Sequence, residues 1–127
     1  MKLKNAAQYM NADISGFNPA LLEEELKTVA IDSREVKAGD VFFALSQPEY
    51  KNNCFNGDFA DSTQYVASAF EKGAIVAVIR PDRFAEHNLE SYRDRILLVD
   101  DCILALQNLA HGVYLEWNKP VVAVTGS

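Results

Sequence analysis

The stretch whose reading decides the fold is Ile31-Asp32-Ser33-Arg34-Glu35-Val36-Lys37-Ala38-Gly39-Asp40-Val41-Phe42-Phe43-Ala44-Leu45. Its last five residues are uninterruptedly apolar and follow a Gly-Asp turn, which predicts a strand covered on both faces. Just upstream, Thr28-Val29-Ala30-Ile31 carries a second, shorter strand signal. Between the two strands lies a polar knot, Asp32-Ser33-Arg34, and then the turn Lys37-Ala38-Gly39-Asp40. The knot therefore sits at the mouth of a core, where a ligand can be held.

The surrounding chain fits one globular domain. It has 127 residues, enough to bury a core, and is 49% hydrophobic and 24% charged, unlike a disordered chain. A net charge of -6 argues against broad nucleic-acid or anionic-membrane binding, which need basic patches. It leaves room for a small anion, which needs only an arginine or a few backbone N–H groups. Cys54 and Cys102 lie far apart and match no metal-ligand spacing, so they read as thiols in a reducing compartment rather than as a disulfide. The N-terminus builds no signal-peptide core, and no apolar run reaches the roughly 20 residues that span a bilayer. A cytoplasmic protein without membrane insertion, and a monomer, is expected.

In chain order, Leu3, Ala6, Ala7 and Met10 mark one face of a short helix, and Asn11 to Asn18 reads as a loop. Pro19 to Leu26 is a weak helical stretch, in which Glu23-Glu24-Glu25 reads as a solvated acidic face rather than a metal site. After Leu45 comes a long polar excursion, Ser46 to Asp61, interleaved with Tyr50, Phe55 and Phe59. These aromatics either pin the loop to the body or stack on a flat ring. Asp61 or Ser62 then caps a helix with Tyr65, Val66, Ala69 and Phe70 as its apolar stripe and Gly73 at its end. Ala74 to Ile79 is a buried strand that Arg80-Pro81-Asp82 stops, and Phe84 to Arg95 is loop or irregular helix. Ile96 to Val99 is the next strand. Asp100-Asp101 caps a helix striped by Ile103, Leu106, Gln107, Ala110, Val113, Tyr114 and Trp117. His111 lies beside that stripe and His87 in the charged segment, neither with a partner at ligand spacing.

The last segment, Val121-Val122-Ala123-Val124, is one more buried strand and leads into Thr125-Gly126-Ser127. A buried strand ending in Thr-Gly-Ser is how a Walker-type phosphate loop begins, with its lysine several residues further on. The other reading is a strand with no such sequel.

Taken together these blocks resemble the N-terminal substrate-binding domain of the Mur ligases, the ATP-dependent amide-forming enzymes of peptidoglycan synthesis. The matching pieces are Asp32-Ser33-Arg34 with Val36, Ala38 to Leu45, Ala69 to Val78, Val99-Asp100-Asp101 with Ala105-Leu106 and Leu109-Ala110, and Val121 to Ser127. The Thr-Gly-Ser ending looks more like the MurF type, which adds D-alanyl-D-alanine to UDP-N-acetylmuramoyl-tripeptide, than like the MurE type, which usually shows Thr-Gly-Thr. One departure stands out. Where the family has a short loop and then Asp-Gly-His-Asp-Phe, this chain has an insertion between Ser46 and Ala60 and then Asp61-Ser62-Thr63-Gln64-Tyr65.

The resemblance implies a small layered α/β domain over residues 1–118, with a mixed sheet flanked by helices. Residues 119–127 would then be the first strand and the start of the phosphate loop of a central ATPase domain. In such ligases ATP phosphorylates the peptide carboxylate and the incoming amine attacks the acyl phosphate. ATP and Mg2+ serve the full-length enzyme and are not bound by this stretch, which carries no catalytic and no metal-ligating residue. Its part is the UDP end of the substrate, met by Ile31, Asp32, Ser33 and Arg34, with Gln47 and Pro48 on the uracil side. Thr125, Gly126 and Ser127 belong to the ATP site. Arg34 is the diphosphate partner by charge and fork geometry, or else an ion pair with Asp32 or Asp40 that shapes the turn. The competing readings are a MurE-type ligase and a non-catalytic α/β binding module. A continuation such as x-G-K-T-T after Ser127 separates a ligase from such a module.

Overall fold

Five short strands form one sheet in the order β4-β3-β2-β1-β5. They are β1 (Val29–Ala30), β2 (Val41–Phe43), β3 (Val76–Ile79), β4 (Ile96–Leu98) and β5 (Val124–Thr125). The computed structural model describes residues 1–45, 62–117 and 124–125, with positions 117, 124 and 125 described by backbone alone. Every ladder between these strands is parallel. The α/β class is as expected, but the mixed sheet is corrected in one respect. Antiparallel pairing among the described residues is confined to isolated bridges, Lys2 with Glu25 and Asp13 with Leu98. The second of these covers the open edge of β4 and so blunts it.

Parallel strands need covered faces, and alternation along each strand sorts the side chains between two cores. Val29, Val41, Phe43, Leu45, Val76, Val78, Leu97 and Val99 point to one face. Helices α1 (Leu3–Met10) and α4 (Cys102–Trp117) cover that face. Ala30, Phe42, Ala44, Ala77, Ile79 and Ile96 point to the other, under α2 (Val66–Glu71) and α3 (Pro81–Glu86). The result is three layers, with β2 buried on both sides as the five-residue apolar run Val41–Leu45 predicts.

Helix α1 follows the sequence pattern closely: Leu3, Ala6, Ala7 and Met10 are its buried residues, and Asn11 ends it in the left-handed region at φ 54°. Pro19–Glu23 forms a 3-10 turn capped by Asn18. Two expectations need correction. Pro81 does not merely stop β3; it opens α3 at the first helical position, where its missing N–H costs nothing and its φ is pre-set. The stripe on α4 is also rotated. Cys102, Ala105, Leu109 and Val113 face the core, whereas Tyr114 and Leu115 are exposed and Gln107 is solvated. Ile103 is buried and Leu106 half-buried, as expected. His111 is exposed, on the polar side. Cys102 is a buried thiol that donates to the Val78 carbonyl at 3.5 Å, and Cys54 lies outside the described residues. Among the described residues no helix is long and apolar enough to cross a membrane.

Candidate functional site

In a parallel sheet ligands gather beyond the carboxyl ends of the strands, above all where the strand order reverses. Here β2, β3 and β4 lie in succession on one side of β1 and β5 lies on the other, so the reversal falls at β1. Ala30 pairs with Phe42 on one side and with Thr125 on the other. The knot Asp32-Ser33-Arg34 follows Ala30 by two residues. The knot and Thr125, both picked out from sequence, therefore lie at the same end of adjacent strands. Thr125 is described by backbone only, and Gly126, Ser127, Gln47 and Pro48 lie outside the described residues, as do Tyr50, Phe55 and Phe59.

The knot is a 3-10 turn, Ser33–Glu35, with Asp32 as its cap. The Arg34 amide donates to Asp32 Oδ1 at 2.9 Å, and the Glu35 amide donates to the Asp32 carbonyl at 3.0 Å. Asp32 also grips the Arg34 guanidinium, accepting from Nε at 3.0 Å and from the terminal nitrogen at 2.6 Å. The hydrogen bonds from Arg34, side chain first and amide second, hold the Asp32 carboxyl down at about 2, and Lys72 adds a smaller attraction. The carboxylate in turn raises Arg34. Of the two partners weighed from sequence, Arg34 thus pairs with Asp32 and not with Asp40. Its head remains 82% exposed, free to turn toward an incoming anion.

Asp40 is occupied elsewhere. It is buried, accepts from the Thr28 hydroxyl, and accepts from the Lys37 amide at 2.9 Å, closing the Lys37–Asp40 turn. Ile31 is half-buried against the α1/α4 core, so it supports the knot from beneath. Ser33 is buried.

Sequence reading missed two residues at this site. Lys72, which follows the last residue of α2, donates its ammonium to the Ser33 carbonyl at 3.1 Å. Tyr65, assigned to the apolar stripe of α2, is instead exposed and close enough to Arg34 to act on its charge. Neither spacing along the chain nor residue type signals a partner 39 positions away. With the Lys72 ammonium on the Ser33 carbonyl and the exposed Arg34 guanidinium on the next residue, the knot is a braced turn that presents one arginine fork, a group suited to phosphate. Elsewhere, a cleft of about 150 Å³ lined by Met10, Asn11, Asp100, Leu104 and Asn108 opens three strands away, at the end of β4. That is below the roughly 300 Å³ at which ligand pockets begin, so it does not compete for a nucleotide. Among the described residues no group of His, Cys, Asp and Glu could hold a metal ion.

No family model matches the chain. Individual proteins do. UDP-N-acetylmuramoyl-tripeptide--D-alanyl-D-alanine ligase of Bacillus subtilis is 30% identical over 125 residues, 98% of this chain and 24% of that protein. UDP-N-acetylmuramoyl-L-alanyl-D-glutamate--2,6-diaminopimelate ligase of Geobacter metallireducens is also 30% identical, over 100% of this chain and 22% of its own length. The chain thus spans about a quarter of the curated relatives it matches. The crystal structure of MurF from Acinetobacter baumannii superposes with a TM-score of 0.63 at 23% identity, covering 91% of this chain and 21% of that one, which establishes likeness of fold. By sequence over its whole length and by fold, the chain is a relative of the Mur ligases, with MurF and MurE types equally near.

Proposed function

We propose that this chain is the N-terminal, UDP-substrate-binding part (residues 1–118) of an ATP-dependent amide ligase of peptidoglycan synthesis. Residues 119–127 enter its central ATPase domain. The preferred reaction is addition of D-alanyl-D-alanine to UDP-N-acetylmuramoyl-tripeptide, in the cytoplasm and by a monomeric enzyme. What supports the reading is the exposed Arg34 guanidinium beside Ser33, whose carbonyl Lys72 holds, beyond the carboxyl end of β1, in a chain matched throughout by ligases of UDP-N-acetylmuramoyl substrates. Ser33 and Arg34 take the diphosphate end, Asp32 holds Arg34 in readiness, and Ile31, Gln47 and Pro48 line the nucleoside side.

ATP and Mg2+ act in the full-length enzyme. Thr125 fits a part in holding ATP phosphates, because it stands at the carboxyl end of a parallel strand, where a phosphate loop must start. The chemistry of carboxylate activation is then supplied by domains beyond this chain.

Calorimetry of UDP-N-acetylmuramoyl-tripeptide on the full-length enzyme tests the site. Ser33→Ala and Arg34→Ala are each expected to weaken binding about tenfold, the scale of one hydrogen bond to a charged group. Unchanged affinity in both would sink the assignment. The second reading, a ligase adding 2,6-diaminopimelate, is favoured by the equally similar Geobacter relative. Turnover of UDP-N-acetylmuramoyl-L-alanyl-D-glutamate with 2,6-diaminopimelate, and none with the tripeptide and D-alanyl-D-alanine, would decide for it.

A further inference from the structure

The link from α2 to β3 runs beside the loop from β1 to β2 and is tied to it at three points. The Gly39 amide donates to the Gly73 carbonyl at 2.9 Å, and the Ile75 amide donates to the Asp40 carbonyl at 2.8 Å. These two backbone bonds fix the end of the loop that enters β2. The third tie is the Lys72 ammonium on the Ser33 carbonyl, and it fixes the other end, just where β1 gives way to the knot. Gly73 lets the helix end come this close. Its φ is +113°, and a Cβ there would stand 2.8 Å from Ala38 Cα.

The bond to Ser33 has a directional consequence. The amides of Arg34 and Glu35 are already taken by Asp32, so the turn is closed from within on its N–H side. The carbonyl of Ser33 is held from outside, by Lys72. Orientation of the Ser33 peptide, and hence the direction in which its hydroxyl and the next side chain leave, depends on a residue from another element. Lys72 is itself exposed, so this bond contributes little to folding and its effect falls on local geometry.

We propose that Lys72 is a positioning residue for substrate binding: by holding the Ser33 carbonyl it aims the Ser33 hydroxyl and the Arg34 guanidinium at the phosphates of a nucleoside diphosphate. The inference rests on the functional reading above and adds to it a residue that acts through Ser33 and not on the ligand directly.

The test is a double-mutant cycle on the full-length enzyme, with UDP as the calorimetric probe at two salt concentrations. Lys72→Met is expected to weaken UDP about tenfold with an unchanged Tm, and Lys72→Arg to recover most of the loss. In a Ser33→Ala background, Lys72→Met should cost little more, and the salt dependence of binding should match that of the wild type. Three results would each overturn the inference alone: wild-type affinity in Lys72→Met, a loss fully additive with Ser33→Ala, or a weakened salt dependence. The last would make Lys72 a direct phosphate partner. Failure of the wild-type enzyme to bind UDP would overturn the functional reading, and this inference with it.

Discussion

The ring of Tyr9 on α1 lies directly over Gly112 on α4, so close that a Cβ on Gly112 would stand 2.4 Å from two ring carbons. Glycine inside a helix ordinarily costs about 1 kcal/mol relative to alanine. Here it buys the close approach of two helices that cover the same face of the sheet. Gly112→Ala should therefore destabilise the protein, by about 1–3 kcal/mol, where an open helix site would gain stability. Urea unfolding of Gly112→Ala, Tyr9→Ala and the double variant checks this. The pair should be strongly non-additive, the double variant tolerating the alanine that the single one does not.

Gly73 makes the corresponding prediction on the opposite face. Its positive φ and its contact with the Ala38 backbone leave no room for a side chain. Gly73→Ala combines backbone strain with a clash that no rotamer relieves, and should cost about 2–4 kcal/mol. Because the same junction carries Lys72, this variant should also lose UDP affinity, measured under conditions where it remains folded.

The capping of α4 separates two adjacent aspartates that sequence could not tell apart. Asp101 Oδ1 accepts from the Ile103 amide at 2.9 Å and from the Leu104 amide at 3.0 Å. Asp101→Ala should lower stability by about 1 kcal/mol, whereas Asp100→Ala should change it little. Thermal unfolding of the two variants side by side is sufficient.

The acid limb of the stability curve should carry the signature of the knot. Asp32 titrates at about 2 in the folded protein, chiefly through its bonds with Arg34. Unfolded, it should titrate near the ordinary value of about 3.9. A carboxyl lowered by folding contributes stability that is present above the unfolded value and is lost as pH falls from about 4 toward 2. Replacing Arg34 with alanine should raise the folded value toward the ordinary range and remove this contribution. Carbon-detected NMR titration of the Asp32 carboxyl checks it, and an unmoved midpoint in Arg34→Ala would show that Arg34 is not the cause.

Much of the architecture was legible from local pattern. The apolar runs at Val41–Leu45, Ala74–Ile79 and Ile96–Val99 mark strands buried on both sides, because a parallel sheet between helices leaves neither face wet. Helix α1 was legible to the residue, since its four apolar positions fall on one face and the others are polar or half-exposed. Helix α4 was not. Its sequence, CILALQNLAHGVYLEW, is apolar around much of its circumference, so periodicity alone does not choose a face. The choice falls to packing: Gly112 must lie under Tyr9, which turns Tyr114 and Leu115 outward.

The site divides along the same line. From sequence alone come the knot Asp32-Ser33-Arg34 between two strands, the chain's likeness to the Mur ligases, and the apolar run that ends at Thr125. These are local facts, written in contiguous residues. Only the tertiary structure decides that Arg34 pairs with Asp32 while Asp40 braces the turn, that β1 and β5 stand side by side, and that Lys72 reaches Ser33. Each of these depends on which elements meet across the sheet, and contacts between residues tens of positions apart are set by packing, not by the order of residues within either partner.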